Sequence, residues 1–156
     1  MVIESTRFGT VDVEDTAILH LPDGLIGLPG TGYALLGTAM SSPFDWLHSI
    51  EHPELALPVT NPWLFFNDYE VRIPDDDAER LELDDPTVAE IICVVRAAET
   101  LRSFTINLAA PIVVNLSSRA ARQIVNDVHG YSVAQQLFTA EQVKALEAAA
   151  PSAEAV

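Results

Sequence analysis

The segment His48-Ser49-Ile50-Glu51-His52 is the sharpest candidate for chemistry in this chain. It matches H-x-x-E-H, in which two histidines at i and i+4 of a helix share one face. Such a pair can bind zinc while the glutamate acts as general base of a metal-dependent hydrolase. Pro53 follows at once, and a helix cannot run through proline without losing a hydrogen bond. The run from Phe44 to Ile50 also alternates like a strand, which throws the two histidines out of helical register. The expectation is therefore no enzyme, no metal site and no cofactor. A hydrolase built on His48, Glu51 and His52 is kept as the alternative.

Other candidates read more simply. Gly24-Leu25-Ile26-Gly27-Leu28-Pro29-Gly30 is rich in glycine but lacks the Gly-Lys-Ser/Thr ending of a phosphate loop, so turn formation accounts for it. Cys93 is the single cysteine and lies in Ile91-Ile92-Cys93-Val94-Val95, where a thiol reads as a small buried hydrophobe. The carboxylates Asp75, Asp76, Asp77 and Glu79, extended by Glu82, Asp84 and Asp85, read as a solvated loop or as a steering surface for a cationic partner. Just upstream, Trp63-Leu64-Phe65-Phe66-Asn67-Asp68-Tyr69 concentrates aromatics beside acids. Strand alternation there points Phe65 and Phe66 to opposite sides, and Tyr or Trp anchors dominate protein interfaces. Phe66, Asp68, Tyr69, Asp75, Asp76 and Asp77 are accordingly the candidate partner-binding residues.

Charge narrows the class of partner. The 156 residues carry 8 Lys+Arg against 23 Asp+Glu, a net −15 with neutral histidines. A phosphate-contacting nucleic-acid binder needs a basic surface, and so does a protein docked on anionic lipid. A basic protein partner remains open, as does an acidic decoy that mimics nucleic acid by charge alone. Hydrophobic residues make up 49% of the chain. A domain near this length buries roughly 68–70% of its unfolded surface, enough for a core without metals or disulfides. No apolar run approaches the ~20 residues of a membrane span. Met1 to Ser5 shows no signal-peptide pattern. The expectation is a cytoplasmic monomer.

The elements that must position these residues are short. Val2 to Phe8 and Val11 to Val13 flank Gly9-Thr10 as a hairpin. Strands follow over Thr16 to Leu21, Tyr33 to Thr38, Phe44 to Ile50, Leu55 to Thr60 and Glu70 to Ile73. Thr87 to Ala97, Ser103 to Leu108, Ile112 to Asn115 and Arg122 to Val128 complete the set, favoured by β-branched content. Ten prolines and seven glycines punctuate them. The reading is mainly β: a single-domain antiparallel β-barrel-like fold of short strands with a short C-terminal helix. Thr139-Ala140-Glu141-Gln142 fits a capping box that starts this helix. The division is a β domain over 1–138 and a C-terminal helix and flexible tail over 139–156.

The same blocks, in this order, resemble a known family. They are Gly24 to Gly30, then Pro43-Phe44-Asp45-Trp46-Leu47-His48-Ser49, Asn61-Pro62 and Asn67-Asp68-Tyr69. Thr105-Ile106-Asn107-Leu108-Ala109-Ala110-Pro111-Ile112-Val113-Val114-Asn115 comes next, with Gln123-Ile124-Val125 and Tyr131-Ser132-Val133 at the end. Over residues 1–138 the chain is similar to the flagellar assembly factors of the FliW family. The resemblance implies a non-enzymatic regulator with a compact β-barrel-like fold, with two partners. One is flagellin, for which such a factor acts as a chaperone. The other is the carbon storage regulator, a small basic RNA-binding dimer that represses flagellin translation; binding it frees the message. Accumulating flagellin sequesters the factor and releases the repressor. One departure is Leu57-Pro58-Val59, where an aromatic and an unbroken strand would be expected. Proline there removes a ladder donor and suggests an edge or a bulge.

Overall fold

The computed structural model describes residues 1–37 and 42–149. Eleven strands run through these residues: β1 (Val2–Ser5), β2 (Gly9–Asp12), β3 (Ile18–His20), β4 (Gly32–Gly37), β5 (Phe44–Ser49), β6 (Ala56–Thr60), β7 (Ala89–Arg96), β8 (Thr105–Ile106), β9 (Ile112–Asn115), β10 (Ala121–Gln123) and β11 (Gln135–Gln136). Two helices, α1 (Asp75–Arg80) and α2 (Ala140–Ala149), complete the chain. The expected tail from Pro151 lies outside the described residues, as does the Thr38 end of the expected fourth strand.

β7 is the hub, and its β-branched run explains why: Ile91, Ile92, Val94 and Val95 suit a pleated surface buried on both sides. Its first half pairs with β9, from Ala89↔Asn115 to Ile92↔Ile112. Its middle pairs with β6 at Cys93 and Val94. Its end turns to β8 at Val95 and Arg96. The sheet order is β10-β9-β7-β6-β5-β4-β3, with β8 and β11 appended. The two ends of the sheet meet at one isolated bridge, between His20 of β3 and Ala120 just before β10. The result is barrel-like, without a continuous closing ladder. Pro58 sits where β6 keeps its β5 partner, Trp46, while its pairing to β7 covers only Val59 and Thr60. That is the partial edge expected of a strand proline.

The barrel-side core holds Leu19, Leu21, Tyr33, Leu47, Val59 and Ile112. Each such side chain contributes about 1.5–3 kcal/mol on burial. A second cluster gathers Tyr69, Cys93, Val95, Ile106, Leu137 and Phe138, and it includes Val143 of α2 at 1% exposure. β1 and β2 form a separate two-stranded sheet. Ile3 of β1 and Val13, one residue past β2, pack with Ile18 and Ala34 as a third cluster. A fourth, under α1, holds Leu81, Val113 and Ile124.

Three expectations are corrected. Glu70 to Ile73 is not a strand: Asn126 takes its place as the pairing partner, donating from Nδ2 to the Glu70 carbonyl and accepting from the Arg72 N–H. The acidic run over Asp75 to Glu79 is helix, not loop. Phe65 and Phe66 follow a short helical turn over Pro62–Leu64 rather than lying in a strand, and both pack against the second cluster. The capping box at Thr139 is present in both directions, with Thr139 N–H on Gln142 Oε1 at 2.8 Å and Gln142 N–H on Thr139 Oγ1 at 3.1 Å.

Candidate functional site

The H-x-x-E-H residues are divided among three tasks. His48 is fully buried in β5, its Nδ1 donating to the Ser49 carbonyl at 2.7 Å. Its Nε2 is buried with no hydrogen-bond partner, beside Phe8 at 6.3 Å between ring centroids. Glu51 instead accepts from the Thr31 and Gly32 N–H groups at 3.2 and 3.1 Å. Burial pushes its carboxyl up, but these backbone donors and the Thr31 hydroxyl outweigh that and hold it below the usual range. His52 faces Glu54 at 3.8 Å. Glu51 also explains Gly30: its φ is +94°, and a Cβ there would stand 2.9 Å from Glu51 Oε2. The glycine loop is a turn closed by Gly24 N–H on the Leu21 carbonyl. Among the described residues, no three His, Cys, Asp or Glu side chains could hold a metal together.

The six expected partner-binding residues occupy two places. Phe66, Asp68 and Tyr69 line a hollow of about 230 Å³ with Leu108, Tyr131 and Gln135. Asp68 is exposed and Phe66 half-buried. Tyr69 is only 4% exposed, so it is no surface anchor. Its hydroxyl donates to the Leu108 carbonyl at 2.7 Å and accepts from Asn126 Nδ2 at 3.2 Å. Its ring meets Tyr131 edge-on at 4.8 Å, and burial raises its hydroxyl far above the ordinary tyrosine value. Beneath it, Cys93 is fully buried and its thiol is pushed up to about 12.

Asp75, Asp76 and Asp77 form the first turn of α1, where the helix dipole favours negative charge. Asp75 and Asp76 are exposed. Asp77 pairs with Arg122 Nε, and the same guanidinium reaches Asp23 through Nη1. The hydrogen bond that Arg122 donates to Asp77, ahead of the nearby Asp23 charge, holds the Arg122 proton more firmly than usual. Only two of the three aspartates are therefore free to face a partner.

A second surface is absent from the sequence reading. A groove of about 550 Å³ opens between the β1–β2 hairpin and β4–β5, walled by Phe8, Val11, Val13, Leu36 and Trp46. Asp12 and Glu14 stand on its rim, both exposed. Phe8 meets Trp46 edge-on at 5.8 Å, and the Arg7 guanidinium lies over the Trp46 ring at 4.5 Å. The first arrangement is a favourable aromatic pair and the second a cation–π contact.

The family blocks read in the sequence are largely structural. Asn61 Oδ1 caps the Pro62–Leu64 turn at 2.9 Å. Asn107 Oδ1 caps Ala109 and Ala110, and Asn115 Nδ2 donates to the Leu81 carbonyl at 2.8 Å. A family model described as FliW protein matches residues 2–137. The chain belongs to the FliW family. It is 36% identical to a flagellar assembly factor FliW of Desulfitobacterium hafniense (strain Y51) over 140 residues, covering 89% of this chain and 92% of that relative. It is also 36% identical to a flagellar assembly factor FliW of Pseudothermotoga lettingae over 133 residues, 85% of each. A crystal structure of the flagellar assembly factor FliW superposes with a TM-score of 0.81 at 25% identity, covering 89% of this chain and 98% of that one. The family model thus covers the chain through β11.

Proposed function

We propose that this FliW-family chain is a non-enzymatic cytoplasmic factor that acts as a monomer and binds two partners in turn. One partner is flagellin, which it chaperones. The other is the carbon storage regulator, whose repression of flagellin translation it relieves. Family membership over nearly the whole chain carries this reading. Charge supports the second partner, since 23 acidic against 8 basic residues suit a small basic protein. The surface proposed for that partner is bordered by Asp75 and Asp76 of α1 and by Phe66 and Asp68, with Asp77 and Tyr69 supporting it from below. Rim carboxylates of this kind raise the rate of encounter more than final affinity. The test is titration of the full chain with each purified partner, followed by competition between them. Binding of each, with flagellin displacing the regulator, is the expected result; binding of neither overturns the reading.

A further inference from the structure

β4 outlasts its neighbour. β3 pairs with it only at Ile18↔Ala34, Leu19↔Tyr33 and His20↔Gly32, because the chain before Ile18 coils into a helical turn over Asp15–Ala17. β4 itself runs on to Gly37 against β5. The direction of its free groups follows from the ladder. Ile50 N–H donates to the Gly32 carbonyl, so even-numbered residues of β4 face β5. Leu21 N–H donates to the Thr31 carbonyl, so odd-numbered ones face the β3 side. Alternation along an antiparallel strand then directs the N–H and C=O of Leu35 and Gly37 to the side that β3 has left. Among the described residues no strand pairs there.

That open edge enters the groove, since Leu35, Leu36 and Gly37 line it together with Val11 and Trp46. The turn over Asp15–Ala17 touches β4 and Ala17 joins the groove wall, but among the described residues no strand takes this edge. A strand edge without a strand partner beside an apolar trough is the arrangement used for strand addition, in which main-chain bonds give affinity and alternate side chains give specificity. We propose that this groove takes an extended basic segment of a partner protein as an added strand on Leu35–Gly37. Apolar side chains of the segment enter between Val11 and Leu36, and the segment's net positive charge is drawn to Asp12 and Glu14 on the rim. Charge selects this occupant over a second copy of the chain, because two molecules each carrying −15 repel. The surface differs from the α1 face of the proposed function and stands without it.

The test uses the full chain, isotopically labelled, and a synthetic octapeptide of alternating valine and lysine. The amide resonances of Leu35 and Gly37 are expected to shift on binding. N-methylation of alternate peptide nitrogens, or replacement of lysine by glutamate, is expected to weaken binding by roughly tenfold or more. Phe8→Ser and the pair Asp12→Lys with Glu14→Lys are each expected to weaken it too, with circular dichroism and melting checking that the fold is kept. No binding, equal binding of the N-methylated peptide, or shifts centred on α1 would overturn the proposal. So would a dimer in sedimentation that seals Leu35–Gly37 with a second copy.

Discussion

Tyr69 and Glu51 show how residues that suggest binding or catalysis can be holding the fold instead. The Tyr69 hydroxyl bridges the Leu108 carbonyl and Asn126. Tyr69→Phe is expected to cost about 1–2 kcal/mol in chemical denaturation and to leave partner affinity unchanged. Tyr69→Ala adds a cavity and is expected to cost roughly 3–5 kcal/mol. A partner dissociating faster from a Tyr69→Phe chain of undiminished stability would reverse this assignment. Glu51 ties the Gly30 turn to β4 through two backbone N–H groups. Its folded carboxyl is held low, so its contribution is full above the unfolded value near ~4.3 and fades as pH falls through the folded one. Glu51→Gln is therefore expected to melt lower than wild type at neutral pH, with the gap closing in acid. A gap that is constant with pH would mean the charge does nothing.

Among the elements, α1 and α2 separate what the sequence could tell from what it could not. If the α1 face takes the proposed basic partner, Asp75→Asn with Asp76→Asn is expected to slow association with the carbon storage regulator and flatten its salt dependence. Asp77→Asn is expected instead to cost about 1–2 kcal/mol of stability, because it strips the half-buried Arg122 of one carboxylate. Stopped-flow association and equilibrium unfolding distinguish the two. For α2, Val143→Ala is expected to cost about 1–2 kcal/mol, and removal of the chain after Phe138 more, since Val143 sits in the same cluster as Phe138. A truncated chain that melts as high as the full one would detach the helix from the core. β5, β7 and β9 were legible because alternation and β-branching are local properties. The α2 cap was legible because it is a four-residue pattern. α1 was not, because a run of carboxylates reads as solvated until its place on a helix N-terminus is known. β11 is a pair of glutamines with no pattern at all. The groove was out of reach: Phe8, Val11, Leu36 and Trp46 meet only once the hairpin has folded over β4 and β5.

For the molecule as a whole, two surfaces and an acidic envelope surround a sheet that nearly meets itself. The meeting place is built from the two halves of the chain. His20 N–H donates to the Arg119 carbonyl at 3.0 Å, Ile26 N–H to Gln123 Oε1 at 2.8 Å, and Arg122 reaches Asp23. These links join residues nearly a hundred positions apart, up to a separation of 99. Contacts of such long reach must close a large loop before they return any energy, and topologies dominated by them fold in milliseconds to seconds rather than microseconds. Refolding followed by tryptophan fluorescence is expected to fall in that slow range, and a microsecond phase carrying the full amplitude would contradict it. On a ribosome delivering roughly 5–20 residues each second, the strands around His20 emerge many seconds before Arg119 and Gln123 exist. During that interval the first strand edge has no mate. Until its last third arrives, the half-made chain carries an edge open to any other strand it meets.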